Sequence, residues 1–255
     1  MIRKEFPILE FDPNSTAIIE PHRVHTWKGI PERCVACFFA EVFEALKGQG
    51  RLKLLATQRS EIGDNPIYEL DLDGRKLTVF HPGVGAPLAA AFLEEVIALG
   101  GRKFIACGGA GVLNRELALG HLVVPSAAVR DEGTSYHYLP AGREVRASAE
   151  GLAAVEAALR ADGIAYVVGK TWTTDAIFRE TADKVKLRRE EGCLTVEMEA
   201  AAFFAVAQFR GVTFAQILYG GDNLDSEQWD SRHWDKQASV REKLFWLAAE
   251  AALRL

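Results

Sequence analysis

Two glutamates, Glu197 and Glu199, flank Met198 in the run VEMEAAAFFAVA over residues 196–207, at the mouth of an otherwise apolar helical stretch. An ionised carboxylate accepts hydrogen bonds through two oxygens and donates none. Acids so placed either complement the positive end of a helix or receive hydroxyl donors from a ligand. A third acid, Asp222, sits in the glycine turn GGDN at 220–223, where it either shapes the turn or faces a site. Three glycine-containing turns follow apolar runs: HPGVGAP (81–87), ACGGAGV (106–112) and LYGGDN (218–223). Glycine lets backbone N–H groups approach a ligand closely, and successive N–H groups can cradle an anion.

Other reactive residues are less organised. Cys34 and Cys37 form a C-x-x-C, but no second pair or nearby histidine completes a zinc set. They read as small apolar residues of an amphipathic helix. His22, His25, His121, His137 and His233 show no metal spacing, and His81 reads as structural. Ser60, Ser126 and Ser135 lack the strand–turn–helix setting of a hydrolase nucleophile. Neither a metal nor an organic cofactor is expected.

The elements needed to position these groups can be read from apolar periodicity. Strands are predicted at 16–20, 51–57, 66–72, 76–82, 103–108, 121–130, 165–174 and 213–221, and helices at 32–47, 86–99, 148–162, 179–191, 198–210 and 237–253. The run YELDLDGRKLTVF around Asp73 and Gly74 reads as a hairpin. Elsewhere strands feed helices, which predicts a single α/β domain (1–255, with 1–14 as an N-terminal extension). Its sheet should be mixed and largely parallel, with helices on both faces. Ligands of such sheets bind beyond the carboxyl ends of the strands, where the glycine turns fall. The 255 residues suffice for a sizeable core, and a net charge of −5 argues against a nucleic-acid partner. No secretory leader or membrane span is apparent, so a reduced, cytoplasmic protein is expected.

Three segments together carry a resemblance: VEMEAAAFFAVA, the strand ending GGDN, and GGAGVLNRELALGHLVVPSAAVRDEGTSYHY (108–138) preceded by FHPGVGAPLAAAFLEEVIALG (80–100). The chain resembles, over about residues 15–255, the nucleoside phosphorylase family that includes hexameric purine nucleoside phosphorylase, uridine phosphorylase and related nucleosidases. The resemblance implies the phosphorylase/hydrolase-like fold and a homo-oligomer, dimer or hexamer, in which a neighbour completes each pocket. It also implies phosphorolysis of a nucleoside to free base and ribose 1-phosphate, with phosphate as co-substrate. Glu199 would accept the ribose 2′- and 3′-hydroxyls, Met198 would pack on the sugar or base, and Glu197 would lie near the base. Asp222 would assist the leaving base, which tilts the substrate toward purines. Phe178, with Trp172 nearby, would form the stacking wall, and Asp175 would be structural. Arg23, Arg59 (from a neighbouring subunit) and the glycine loops, Gly85 and Gly109 among them, would hold phosphate.

The phosphate segment departs from the family pattern. The first loop reads AIIEPHRV (17–24) without the family's glycine-aspartate pair, and Ala106 and Gly109 stand where an arginine and a hydroxyl residue are expected. Alanine supplies neither the geometry nor the charge of a guanidinium. The alternatives are a phosphate-independent nucleosidase in which Glu20 activates water, or a nucleoside-binding protein whose phosphate site has decayed. SEQWDSRHWDK (226–236) would be a lid or a subunit contact.

Overall fold

The run RCVAC forms a strand, β1 (Arg33–Cys37), and the predicted helix begins only afterwards, as α2 (Ala40–Gly48). Both faces of β1 are buried, so its apolar run has no polar alternation by which a strand is ordinarily recognised. Cys34 and Ala36 enter one core cluster, Val35 and Cys37 the other. The two thiols therefore point to opposite sides of the sheet and cannot act as a pair. All four cysteines are free and buried.

The computed structural model describes residues 3–24, 28–114, 116–225 and 229–255. After β1 and α2 come the meander β2 (Leu52–Ser60), β3 (Gly63–Leu72) and β4 (Arg75–Phe80), then α3 (Ala86–Leu99) and β5 (Lys103–Val112). The chain continues through β6 (Leu122–Asp131), β7 (Glu144–Arg146), α4 (Ala149–Ala161), β8 (Tyr166–Thr174) and α5 (Ala182–Glu190). It ends with β9 (Cys193–Glu197), α6 (Ala200–Arg210), β10 (Thr213–Asn223) and α7 (Ala238–Leu253), while a single turn, α1 (Pro21–Val24), precedes β1. The hairpin at Asp73 and Gly74 is present: both residues have positive φ, and Leu72 faces Arg75 across β3 and β4. Residues 16–20 are not a strand. Ile18 and Ile19 are exposed there, in a loop that leads into α1.

The sheet is mixed. Parallel pairings join β1 to β4 and β5, β10 to β5, β6 to β8, and β8 to β9. Antiparallel ones form the β2–β3–β4 meander and close the far side, where β10 meets β6 and the end of β5 meets β9. Because β10 pairs with both β5 and β6, the strands β10, β6, β8, β9 and β5 form a closed ring, with β1, β4, β3 and β2 extending from it. Alternation along the strands sends Ile105, Cys107, Ile217 and Tyr219 toward α2, α4 and α7. Phe104, Ala106 and Phe214 face α3 and α6. Phe203 of α6 stacks on Phe214 at a ring-centroid distance of 4.7 Å, anchoring the helix whose first turn carries the glutamates.

No described helix is long and apolar enough to cross a membrane.

Candidate active site

The carboxyl ends of β1, β4, β5, β8, β9 and β10 surround a cavity of about 980 Å³. Its lining includes Phe38, Gly109, Gly111, Phe178, Glu197, Met198, Glu199 and Asp222. Residues far apart in the chain meet here, as a doubly covered sheet requires.

The VEME run is bent by its own acids. Glu197 ends β9, and its Oε2 accepts the amide N–H groups of Glu199 and Ala200 at 2.7 and 2.6 Å. Its Oε1 accepts the Thr173 hydroxyl at 2.6 Å, and the Thr173 oxygen in turn accepts the Ala201 N–H at 2.9 Å. Three of the orphan amides of α6 are thereby satisfied. Glu197 touches the cavity, but both oxygens are occupied by this cap. It starts the helix while bordering the cavity.

Glu199 is the N-cap residue of α6, and its carboxyl turns the other way, into the cavity. The Gly85 N–H donates to its Oε1 at 2.6 Å. Gly85 has φ of 90°, a conformation that favours glycine and aims that N–H at the acid. Burial, reinforced by the charge of Glu197, raises the Glu199 carboxyl to about 8. Burial also raises Glu197 to about 7 against the opposing Thr173 hydroxyl and helix amides. Those donors favour the anion at Glu197.

Asp222 lies in the last turn of β10. The Trp229 indole Nε1 donates to its Oδ2 at 2.7 Å. A Cβ on Gly111 would stand 2.5 Å from the Leu224 side chain and 3.1 Å from Val196, so a larger residue there would push on the side chains beside Asp222. A second acid, unread in the sequence, lines the same end: Glu180, whose carboxyl has no hydrogen-bond or ion-pair partner among the described residues. Burial first, and the charge of Asp222 second, raise Glu180 to about 7. Its position next to the 3-10 turn Ile177–Arg179 carries no motif, and only the fold brings it opposite Asp222.

Phe178 is on the cavity lip and 96% exposed. Trp172 does not share that wall. It is 0% exposed in a core cluster with Val129 and Val196, and its Nε1 donates to Asp131 Oδ2 at 3.0 Å. On β8 it is covered from the cavity, with Lys184 and Arg188 against its ring. Asp175 is structural, accepting the Gly133 N–H at 2.8 Å. His81 is structural too: its Nδ1 accepts the Gly83 N–H at 3.0 Å, its Nε2 is 3.2 Å from the Phe38 carbonyl, and burial holds its pKa down.

The expected phosphate ligands are dispersed. Gly109 lines the cavity, with the Tyr219 ring 3.0 Å from where its Cβ would be. Arg23 is exposed, 3.4 Å from the Ile18 carbonyl, and lies off the cavity. Arg59 is on the outer strand β2, its side chain 84% exposed and 3.6 Å from Asp64, so it does not reach the cavity of its own chain. Glu20 does not face the cavity either. Its Oε1 accepts the Ala17 N–H and its Oε2 lies 3.8 Å from His22, because the carboxylate folds back on its own loop just before α1. That placement removes Glu20 as the water-activating group.

One cation does line the cavity among the described residues: Arg241 of α7, also unread in the sequence. Its Nε donates to the Tyr219 hydroxyl at 3.1 Å, its Nη1 to Glu41 at 2.8 Å and its Nη2 to the Trp234 carbonyl at 3.2 Å. Trp229 and Trp234 of the segment 226–236 border the cavity. Residues 226–228 of that segment lie outside the described residues. No group of three or more metal-ligating side chains occurs among the described residues.

An α/β sheet whose strand ends enclose four carboxyls, those of Glu180, Glu197, Glu199 and Asp222, defines a candidate small-molecule site. Residues 32–252 match the phosphorylase superfamily, and the chain belongs to that family. It is 30% identical over 158 residues to a guanosine phosphorylase of Halorubrum lacusprofundi, covering 62% of this chain and 66% of that one. It is 26% identical over 160 residues to a uridine phosphorylase of Haemophilus influenzae, covering 57% and 64%. In both, the match spans less than two thirds of the relative's length. The purine nucleoside phosphorylase of Toxoplasma gondii in complex with immucillin-H superposes with a TM-score of 0.74 over 88% of this chain and 90% of that one, at 22% identity, a likeness of fold.

Proposed function

We propose that this chain cleaves the N-glycosidic bond of a nucleoside, with a purine as base and phosphate as acceptor. One observation carries the reading: Glu199, buried and turned into the cavity by the Gly85 amide, stands in one site with the carboxyls of Asp222 and Glu180. Glu199 accepts the ribose hydroxyls, whose contact strengthens as C1′ gains oxocarbenium character. Asp222 and Glu180 face the base, where one proton between two carboxyls lets a neutral base leave. Met198 packs on the nucleoside and Phe178 covers the base from the lip. Guanosine and purine phosphorylases among the similar proteins support a purine, while the uridine phosphorylases support the wider nucleoside class. Phosphate would be held by loop amides and by Arg59 of a second copy in a homo-oligomer.

Water as acceptor is the second reading. It is favoured by Ala106 and Gly109 at the glycine loop and by Arg241 being the sole described cation of the lining, already hydrogen-bonded to Glu41. Base release from a panel of purine and pyrimidine nucleosides, with and without phosphate, tests both. Phosphate-dependent release supports phosphorolysis, equal release without phosphate supports hydrolysis, and binding without release overturns both.

A further inference from the structure

Gln216 is a polar side chain on β10, 1% exposed, that borders the cavity floor. Its Oε1 is buried with no hydrogen-bond partner. A buried carboxamide oxygen is costly to leave unsatisfied, and such groups are nearly always paired. The other polar side chains that β10 gives to the cavity are already committed. The Tyr219 hydroxyl donates to the Trp234 carbonyl at 3.1 Å, and Asp222 holds the Trp229 indole. Gln216 adds a neutral acceptor to them, a carboxamide oxygen left unpaired.

Its position narrows what it can accept. Gln216 is registered with Ala106 on the parallel neighbour β5, and both face the α3 and α6 side of the sheet. Further along β5, Gly109 lines the cavity and offers no side chain to it. Asp222 marks the base end at the strand's carboxyl terminus, and Gln216 precedes it by six residues, toward the floor. A carbonyl oxygen accepts only, so its partner must carry a hydrogen.

We propose that Gln216 binds the oxygen nucleophile, its Oε1 accepting that nucleophile's O–H on the side of C1′ opposite the base. The role rests on the glycosidic cleavage proposed above. Water and monohydrogen phosphate share the required chemistry, an oxygen bearing a proton. As the O–C1′ bond forms, the C1′–N bond breaks and its electron pair leaves on the base. The nucleophile's proton passes to solvent water as its oxygen bonds C1′, and the base takes one from the Asp222 and Glu180 pair, which regains it from solvent, giving free base with ribose or ribose 1-phosphate. The amide orients the nucleophile and takes no proton itself.

The test compares Gln216→Leu with the wild type on a nucleoside the wild type cleaves. Turnover at saturating nucleoside should fall roughly ten- to hundred-fold. Nucleoside Kd, read from fluorescence of the cavity tryptophans, should stay within about twofold and Tm should hold or rise, because an unpaired polar group has been removed. If Gln216→Leu lowers Tm, Gln216→Met replaces it with the same criteria. A loss confined to phosphate-dependent release assigns phosphate, and an equal loss without phosphate assigns water. In the phosphate case, Gln216→Glu should also raise the phosphate KM at least tenfold by charge repulsion. Wild-type turnover in the substituted protein overturns the role, as does a matching loss of nucleoside affinity, which would make Gln216 a ribose or base contact. No base release from the wild type on any nucleoside overturns the cleavage reading itself, and this role with it.

Discussion

The Gly85 N–H donates to Glu199 Oε1 across 2.6 Å, tying the loop after β4 to the first turn of α6, 114 residues later in the chain. The bond fixes which way the second acid of the VEME run points. Glu197, two residues earlier, is closed on the helix by two amides and a threonine hydroxyl. Glu199 keeps its remaining lone pairs for the cavity.

Glu199→Ala should therefore remove a diol acceptor while leaving the α6 cap in place. The diol offers two hydroxyls, each hydrogen bond contributing about 0.5–1.5 kcal/mol, so kcat/KM on ribosides should fall roughly 10- to 100-fold. The loss should be smaller on 2′-deoxyribosides, which lack one partner. Steady-state kinetics on a matched riboside and deoxyriboside pair measures the difference, and equal losses would place Glu199 away from the sugar.

The raised acids also bear on stability. Glu199 rises from 4.5 to about 8 on folding, chiefly through burial. Between those values the unfolded chain has released a proton that the folded chain retains, so stability is greatest below about pH 4.5 on this account and declines as pH rises toward 8. Glu199→Gln abolishes the decline due to this group. Thermal melts at pH 5 and pH 8 should show the variant gaining Tm relative to wild type more at pH 8 than at pH 5.

Glu180 titrates at about 7 beside Asp222. If the pair protonates the departing base, purine cleavage requires one proton there, and kcat/KM should fall as pH rises through about 7. Glu180→Gln should remove that limb from the pH–rate profile. Asp222→Asn should lower purine cleavage by roughly 100-fold or more. A profile for Glu180→Gln that superposes on wild type would leave Asp222 as the acting acid alone.

Phe178 and Trp172 should separate cleanly. Trp172 is fully buried and donates to Asp131, so Trp172→Phe removes a hydrogen bond to a carboxylate and opens a void in the core, and should cost about 1–3 kcal/mol of stability with nucleoside KM unchanged. Phe178 is exposed on the cavity lip, so Phe178→Ala should change stability by less than about 0.5 kcal/mol while raising nucleoside KM several-fold. Denaturant melts and KM measurements on the two variants check both halves.

Much of the architecture could be read from local pattern. The Asp73-Gly74 hairpin and α3 were legible because turn chemistry and a long apolar period are written in adjacent residues. β1 and β9 were not. RCVAC is buried on both faces and so shows no alternation, and CLTVE is five residues wedged between two helices. Residues 16–20 carry β-branched residues that no neighbouring strand receives, so they stay in a loop.

The sequence by itself determined that acids and glycine turns would gather at the strand ends of an α/β sheet, since spacing and periodicity are local properties. Tertiary structure decided which of them share a cavity. Glu20, Arg23 and Arg59 carry the right chemical types, yet each turns to its own loop or strand. Glu180, Gln216 and Arg241 carry no motif, yet the ring closed by β10 and the packing of α7 bring all three to the cavity. A side chain's direction and burial depend on partners distant in the chain, and no window of neighbouring residues encodes them.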